Sequence, residues 1–270
     1  MRDIWLVMKI TFKEGVRSRI LFGITFLAIL LFASNLVITN LFFFELGKVM
    51  VDIGFSALSL SGLSIVFFLG IGLLSRDIHD RTVYMVISRP VTRWQYVVGK
   101  FGGLALTLVM VMGILGALAL VSFIVCSYLV PGAGLPRNFS WSNMLITVLF
   151  NFLSLLVVMS FAFFFTIISS SMYLAMLFTF CVYFIGHSLE TIVKILVQGE
   201  LVKAGPSFIF LMKGITWIFP NLSAFDLKAS LAYGLPQDPG YLLWTGIYGC
   251  TYSFLVILVT VFIFQRKDIC

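Results

Sequence analysis

Three ionisable residues at helical spacing are the first candidates for chemistry in this sequence. His187, Glu190 and Lys194 stand at positions i, i+3 and i+7, so a helix would place them on one face. Ionisable groups next to an apolar stretch can form an ion, proton or substrate-gating site. An interfacial Glu–Lys pair beside a solvated histidine would have the same spacing. The interfacial pair is the preferred interpretation, and the gating site remains the alternative.

Other catalytic patterns are missing from the sequence. There is no GxxxxGK[ST] phosphate loop, because Gly99-Lys100 lacks both the upstream glycine and the following Ser or Thr. Only two histidines occur, and the four cysteines form no CxxC pair, so no metal site is indicated. We therefore predict that the chain is not an enzyme and holds no cofactor.

The composition indicates a membrane protein. Of 270 residues, 61% are hydrophobic and 11% are charged, whereas soluble domains carry about 25% charged residues. The net charge of +7 fits cationic loops at one membrane face, so nucleic acid is not an expected partner.

The uncharged stretches predict an all-α polytopic protein with one transmembrane domain over residues 1–270. A helix needs about 20 apolar residues to cross a bilayer. Residues 138–189 are too long for one crossing, and Ser169-Ser170-Ser171 is the expected division. Glu45, Lys48 and Asp52 are expected to form a short loop after the first crossing. The six predicted spans are about 20–44, 53–75, 101–130, 142–167, 172–189 and 241–264.

Two further segments are predicted to lie at the membrane surface. In residues 1–19, Lys9, Lys13 and Arg17 recur every four positions, which is typical of an interfacial helix with its basic side toward water and anionic lipid. Residues 190–240 mix charges with short apolar pieces that cannot cross the bilayer, so we expect re-entrant or interfacial helices there.

The distribution of Lys and Arg predicts the orientation. Residues 1–19 hold five, 76–100 hold five and the tail after 264 holds two, against six elsewhere in the sequence. Because cytoplasmic loops are enriched in Lys and Arg, we expect both termini and the 76–100 loop to be cytoplasmic and the 190–240 segment to be extracytoplasmic.

The 76–100 loop is a charged segment between two uncharged spans. Thr82 can cap a short helix whose apolar body is Val83 to Ile87, and Pro90 would end it. Gly99 and Gly103 are four residues apart, so they would permit close helix packing where the third span begins.

The ordered residues in this loop resemble the permease subunits of type-2 ABC exporters. In those permeases the first cytoplasmic loop has an acidic residue, a Gly-Thr pair, a short apolar helix, Pro-Val-Ser-Arg and a Gly-Lys. Here the corresponding residues are Asp77, Thr82, the stretch from Pro90 to Arg93, and Gly99-Lys100. The sequence departs from the pattern at Asp77, where Glu is commoner, and at Arg81, where Gly is usual.

Two other stretches are similar to that family. Lys13-Glu14 and Arg17-Ser18-Arg19 resemble its N-terminal elbow helix, and Pro220 to Ser223 resembles a stretch before the last span. The resemblance implies elbow-helix residues Lys9, Lys13, Glu14, Arg17 and Arg19. Together with the ionisable triplet, it suggests an outer gate of His187, Glu190, Lys194, Pro220 and Asn221.

The resemblance also implies partners and a mechanism. A short coupling helix would dock into a separate ATPase subunit, which would carry ATP and Mg. Two ATPase subunits would join two permeases, either two copies of this chain or this chain and a similar one, in a bacterial or archaeal cytoplasmic membrane. The implied coupling residues are Asp77, Arg81, Thr82, Val83, Tyr84, Ile87, Arg89, Pro90 and Arg93.

Three other functions compete with the ATP-driven exporter. An ABC-like permease could transmit force as an assembly factor without moving a solute, and the sequence is compatible with that role. A secondary transporter or channel would need ionisable residues inside its spans, and these are nearly absent. An integral membrane enzyme would need His, Asp or Glu clustered at one membrane face, and no such cluster is seen.

Overall fold

The computed structural model describes residues 2–41, 46–79, 92–129, 140–169, 171–198, 219–235 and 237–266. Within these ranges the regular structure is entirely helical, with a π-helical segment at Ile65–Ile71 and a 3₁₀ turn at Ser223–Phe225. The α-helices are α1 Arg2–Arg17, α2 Arg19–Leu41, α3 Leu46–Ser64, α4 Gly72–His79, α5 Arg93–Leu129, α6 Trp141–Ile168, α7 Met172–Gln198, α8 Lys228–Ala232 and α9 Pro239–Arg266.

The helices confirm the predicted fold class. In the described residues, five helices are long and apolar enough to cross a membrane, and α1 with α2 gives a sixth if that bent pair is counted as one span. The five spans are Gly47–Asp77, Arg93–Val125, Trp141–Ile168, Met172–Leu189 and Pro239–Arg266. The chain is therefore an all-α multi-pass membrane protein.

A bend of 55° separates α1 from α2. Ser18 lies between the two helices, and its hydroxyl oxygen accepts a hydrogen bond from the backbone N–H of Ile20 at 3.3 Å. That contact is an N-cap, which satisfies a donor that the first turn of a helix otherwise leaves unpaired. The serine thus ends one helix and starts the next in a new direction.

Several helices extend beyond the predicted spans. Helix α5 begins at Arg93 rather than near residue 101, because the Thr92 N–H donates to the Gln95 side-chain oxygen at 3.0 Å and so caps the first turn. Helix α7 continues to Gln198. The predicted loop at Lys48 and Asp52 is wrong, since both residues lie in α3.

Helix α6 contacts most of the other elements of the bundle. It packs against α9, α7 and the π-helical segment, and most residues from Ser154 to Phe163 are buried. Threonines in the bundle satisfy their hydroxyls within their own helices, as Thr166, Thr179 and Thr260 each donate to the carbonyl four residues earlier. Internal satisfaction of this kind is what an apolar surrounding demands.

Candidate functional site

A network of charged side chains joins α1, α4 and α5 at the end of the bundle where α4 ends and α5 begins. Its centre is Lys100, whose side chain is only 4% exposed. The Lys100 ammonium forms an ion pair with the Asp77 carboxylate and lies 3.7 Å from Glu14 Oε2. A buried ammonium is tolerated when it is paired with carboxylates in this way.

Two more residues complete the charge network. Glu14 also accepts from Arg76 Nη2 at 3.2 Å, so the carboxylate of α1 contacts cations from both α4 and α5. The Tyr96 hydroxyl donates to Asp77 Oδ2 at 2.7 Å. Asp77 therefore holds two groups of α5 against α4, and hydrogen bonds to a charged group are stronger than neutral ones.

The first turn of α5 also contacts the last turn of α9. Arg93 Nη1 donates to the backbone carbonyls of Phe264 at 3.4 Å and Gln265 at 3.2 Å. The Tyr96 ring stacks on the Phe264 ring with centroids 6.3 Å apart. A cation at the carboxyl end of a helix satisfies terminal carbonyls and complements the helix dipole.

Glycines bring α5 into close contact with α1. A Cβ atom on Gly99 would lie 2.9 Å from Val7 Cβ, and a Cβ on Gly103 would lie 2.7 Å from the backbone oxygen of Met8. The predicted close packing at these two glycines is thus present, and its partner is α1. The charge network and this glycine contact together fix α1 to the start of α5.

The structure divides the predicted coupling residues into two groups. Asp77 and Arg93 both belong to the contacts just described. Seven others lie outside the described residues: Arg81, Thr82, Val83, Tyr84, Ile87, Arg89 and Pro90. The described residues form the base of the loop. Arg76 and Asp77 precede the loop, and Arg93, Tyr96 and Lys100 follow it.

The residues predicted for the elbow helix also fall into two groups. Glu14 points into the network, whereas Lys9, Lys13, Arg17 and Arg19 are exposed. The sequence did not assign Lys100, Tyr96 or Arg76 to a site. A lysine within an otherwise apolar helix was an available signal for Lys100, but its partner Glu14 lies 86 positions earlier, so spacing could not reveal the pair.

The other end of the bundle holds an irregular segment, residues 219–227, between α7 and α9. The Leu222 N–H donates to the Gly186 carbonyl at 3.1 Å, and the Ser223 hydroxyl donates to the His187 carbonyl at 2.7 Å. On the α9 side, the Asn221 N–H donates to the Tyr248 hydroxyl at 3.0 Å. These bonds satisfy backbone groups that the lack of regular structure leaves unpaired.

Two more glycines leave the space in which this segment packs against α7 and α9. A Cβ on Gly186 would lie 2.7 Å from Leu222 Cγ, and a Cβ on Gly249 would lie 2.8 Å from the Phe225 ring. Phe225 is 2% exposed and stacks on Tyr248 with ring centroids 6.1 Å apart. The segment is therefore wedged between helices rather than resting on their surface, and we call it the wedge.

A small cavity with both apolar and polar walls lies beside the wedge. Its walls include His187 of α7, Asn151 of α6, Ser59 of α3 and Asp226 of the wedge. Ser59 Oγ donates to Asn151 Oδ1 at 3.3 Å, which leaves the buried Asn151 Nδ2 without a partner among the described residues. Such a donor can hold a water molecule.

The predicted outer-gate residues are brought together in part. Pro220 and Asn221 begin the wedge, and His187 contacts it through its carbonyl. Glu190 and Lys194 follow His187 on α7, but their side chains lie outside what the structure describes. In the described part of the chain, no group of three or more His, Cys, Asp or Glu residues is placed to hold a metal ion.

Comparison with known proteins supplies the family. Residues 5–269 match the family described as ABC-2 family transporter protein. The search of curated proteins gives no match. The match covers nearly the whole sequence, including both ends of the bundle described above. The chain therefore belongs to the ABC-2 transporter family, as a membrane-spanning permease.

Proposed function

We propose that this permease is the transmembrane subunit of an ATP-driven exporter in a bacterial or archaeal cytoplasmic membrane. Two permeases, identical or similar, would form the translocation path, and two separate ATPase subunits would bind ATP and Mg. The ATPases would act on the cytoplasmic loop at 76–100. The permease itself would catalyse no bond chemistry.

The observation that carries this proposal is the charge network around Lys100. It joins the residues just before the 80–91 stretch to those just after it, through the Asp77 carboxylate. A force applied to the loop would therefore move α4 and α5 as a unit rather than opening a gap between them. The Glu14 contact extends the same unit to α1.

Helix α9 offers a route from the loop to the wedge. Its last turn is bonded to Arg93, and Tyr248 near its first turns is bonded to Asn221. From Tyr248 to Phe264 the helix advances by 16 positions, which is about 24 Å at a rise of about 1.5 Å per residue. We propose that movement of the loop tilts α9 and thereby loosens the wedge, which would act as the outer gate.

Copurification with the partner ATPase tests this function. The contact surface should be probed at Arg81 and Arg89, since Arg93 is occupied by the carbonyls of α9. We expect Arg81→Glu/Arg89→Glu to reduce ATPase association at least tenfold, because two cationic donors become carboxylates facing the same partner.

Arg137→Glu is the matched control, since it reverses an arginine predicted to lie on the other face of the membrane. It should leave association unchanged. If the double variant binds the ATPase as well as wild type does, the loop is not the docking surface. Equal loss in both variants would point to a general charge effect instead.

A further inference from the structure

Helix α1 presents a basic face to its surroundings. Lys9, Lys13 and Arg17 are exposed at four-residue intervals. In the described part of the chain, no acidic side chain lies within 4.0 Å of them, whereas Arg76, Lys100 and Lys228 all have carboxylate partners. Three exposed cations on one face attract anions strongly.

Exposed apolar side chains flank the basic face. Trp5, Leu6 and Ile10 are 61%, 55% and 58% exposed. A face that combines cations with a large aromatic and aliphatic side chains fits the boundary between headgroups and acyl chains. An aqueous environment would favour the cations but would not favour three exposed apolar side chains of this size.

The opposite face of α1 is fixed to the protein. Val7 and Thr11 are buried, and they meet the glycines at positions 99 and 103 of α5. The basic face is therefore held in one orientation by the packing behind it. A ligand that binds a preformed surface of the folded state stabilises that state.

We propose that α1 binds anionic lipid headgroups through Lys9, Lys13 and Arg17, and that these lipids are stabilising ligands of the folded permease. Charge complementarity selects the headgroup, and Trp5, Leu6 and Ile10 select a membrane source over a free anion. The proposal does not depend on ATP coupling.

Thermal unfolding of the purified full chain tests this binding. Phosphatidylglycerol or phosphatidylcholine with the same acyl chains is added to the chain in a neutral detergent. We expect phosphatidylglycerol to raise the Tm by about 3 °C and phosphatidylcholine to change it by less than a third of that. Salt near 0.5 M should remove most of the difference, since screening weakens exposed charge contacts.

The variant Lys9→Gln/Lys13→Gln/Arg17→Gln should lose the phosphatidylglycerol shift while keeping the wild-type Tm in phosphatidylcholine. The control Arg137→Gln/Lys203→Gln/Lys213→Gln removes the same charge elsewhere and should keep the shift. Equal shifts in the two lipids, or a full shift in the first variant, would overturn the proposal. If that variant instead loses ATPase binding with its lipid shift intact, the basic face serves the ATPase.

If the triple variant does not fold, fluorescence gives the answer on the wild-type background. The difference between wild type and Trp5→Phe isolates the emission of Trp5, which is exposed beside the basic face. Brominated phosphatidylglycerol should quench that emission at least twice as strongly as brominated phosphatidylcholine. Equal quenching by the two lipids would overturn the preference for anionic headgroups.

Discussion

At the scale of single residues, Lys100 determines how the loop is attached to the bundle. Its ammonium is almost fully buried between the carboxylates of Asp77 and Glu14. Removing one partner from such a pair is costly because the remaining charge stays buried without compensation. The cost here should be lower than for a fully enclosed pair, since Asp77 is 17% exposed.

We expect Lys100→Met to destabilise the protein by about 2–3 kcal/mol, below the range of about 3–5 kcal/mol for fully buried pairs. Thermal unfolding in detergent measures the loss. Asp77→Asn added to Lys100→Met should recover at least half of it, because the stranded carboxylate becomes neutral while Tyr96 can still donate to the amide oxygen. If the double variant is less stable than Lys100→Met, the pair does not hold the loop as described.

At the scale of elements, the contact between α1 and α5 depends on small residues. A Cβ on Gly103 would lie 2.6 Å from Thr11 Cβ and 2.7 Å from the Met8 carbonyl oxygen, and a backbone oxygen cannot rotate away. Gly113, on the same helix, has nothing within 4 Å of its Cβ position. The two glycines form a matched pair for the same substitution.

We expect Gly103→Ala to destabilise the protein by about 1–3 kcal/mol through overpacking, and Gly113→Ala to cause no loss. Comparison of their Tm values in one detergent checks this. Similar Tm values for the two variants would show that α1 can move away from α5 without cost, and the basic face of α1 would then lack the rigid support inferred above.

The wedge is the second element whose position can be tested. A Cβ on Gly186 would lie 2.7 Å from Leu222 Cγ, and in Leu222→Cys a sulfur atom would occupy nearly that position. In a disulfide with an S–S bond of about 2.05 Å, the Cβ of one cysteine lies roughly 3 Å from the sulfur of the other, which is close to this separation. We expect Gly186→Cys/Leu222→Cys to form a disulfide in a background without the four native cysteines.

The locked wedge has a functional consequence under the proposed mechanism. Transport should stop on oxidation and return on reduction, while ATPase association stays unchanged, because the crosslink lies at the opposite end of the bundle from Asp77 and Arg93, which flank the loop. Gly186→Cys alone and Leu222→Cys alone are the controls and should respond to neither treatment. The first of them also shows the effect of a Cβ placed 2.8 Å from the Pro220 carbonyl oxygen when no disulfide can form. Transport that continues with the disulfide formed would exclude the wedge as a gate.

At the scale of the whole molecule, apolar length was sufficient to predict the fold class. Bilayer thickness fixes the minimum length of a crossing, so uncharged runs mark spans without any knowledge of packing. The same reasoning gave a wrong prediction at Lys48 and Asp52, where the charged residues indicated a loop but the structure has a helix. There Lys48 lies 4.1 Å from the Tyr233 ring centroid, so the cation is accommodated on a helix by a residue far along the chain.

The candidate sites were harder to predict from the sequence, because they too depend on contacts between residues that are far apart along the chain. Gly99 and Gly103 predicted close packing, but nothing in the sequence identified α1 as the partner helix. Asp77 was identified through the family pattern, whereas its ion pair with Lys100 depends on the relative placement of two helices. The π-helical segment has no distinguishing composition, since its six large apolar residues and Gly70 would suit an ordinary transmembrane helix equally well.

The molecule as a whole brings three distant parts of the sequence to one end of the bundle. Glu14 contacts Arg76, and Arg93 contacts the carbonyls at Phe264 and Gln265. The end of α1, the base of the loop and the end of α9 are thus neighbours in space. Helices that span a membrane and meet at one end emerge on the same face, so this geometry agrees with the prediction that the 76–100 loop and the ends of α1 and α9 share one face.

We therefore expect single cysteines placed at this end of the bundle to be labelled from the same face of the membrane. Cys270 alone, or Ser88→Cys in a background without the native cysteines, should react with an impermeant maleimide in inverted vesicles and not in right-side-out vesicles. Asn138→Cys, in the loop after α5, should show the reverse, because that loop follows one further crossing. Labelling of Cys270 and position 88 from opposite faces would contradict the shared end, since the bonds from Arg93 to α9 could not then form within one folded chain.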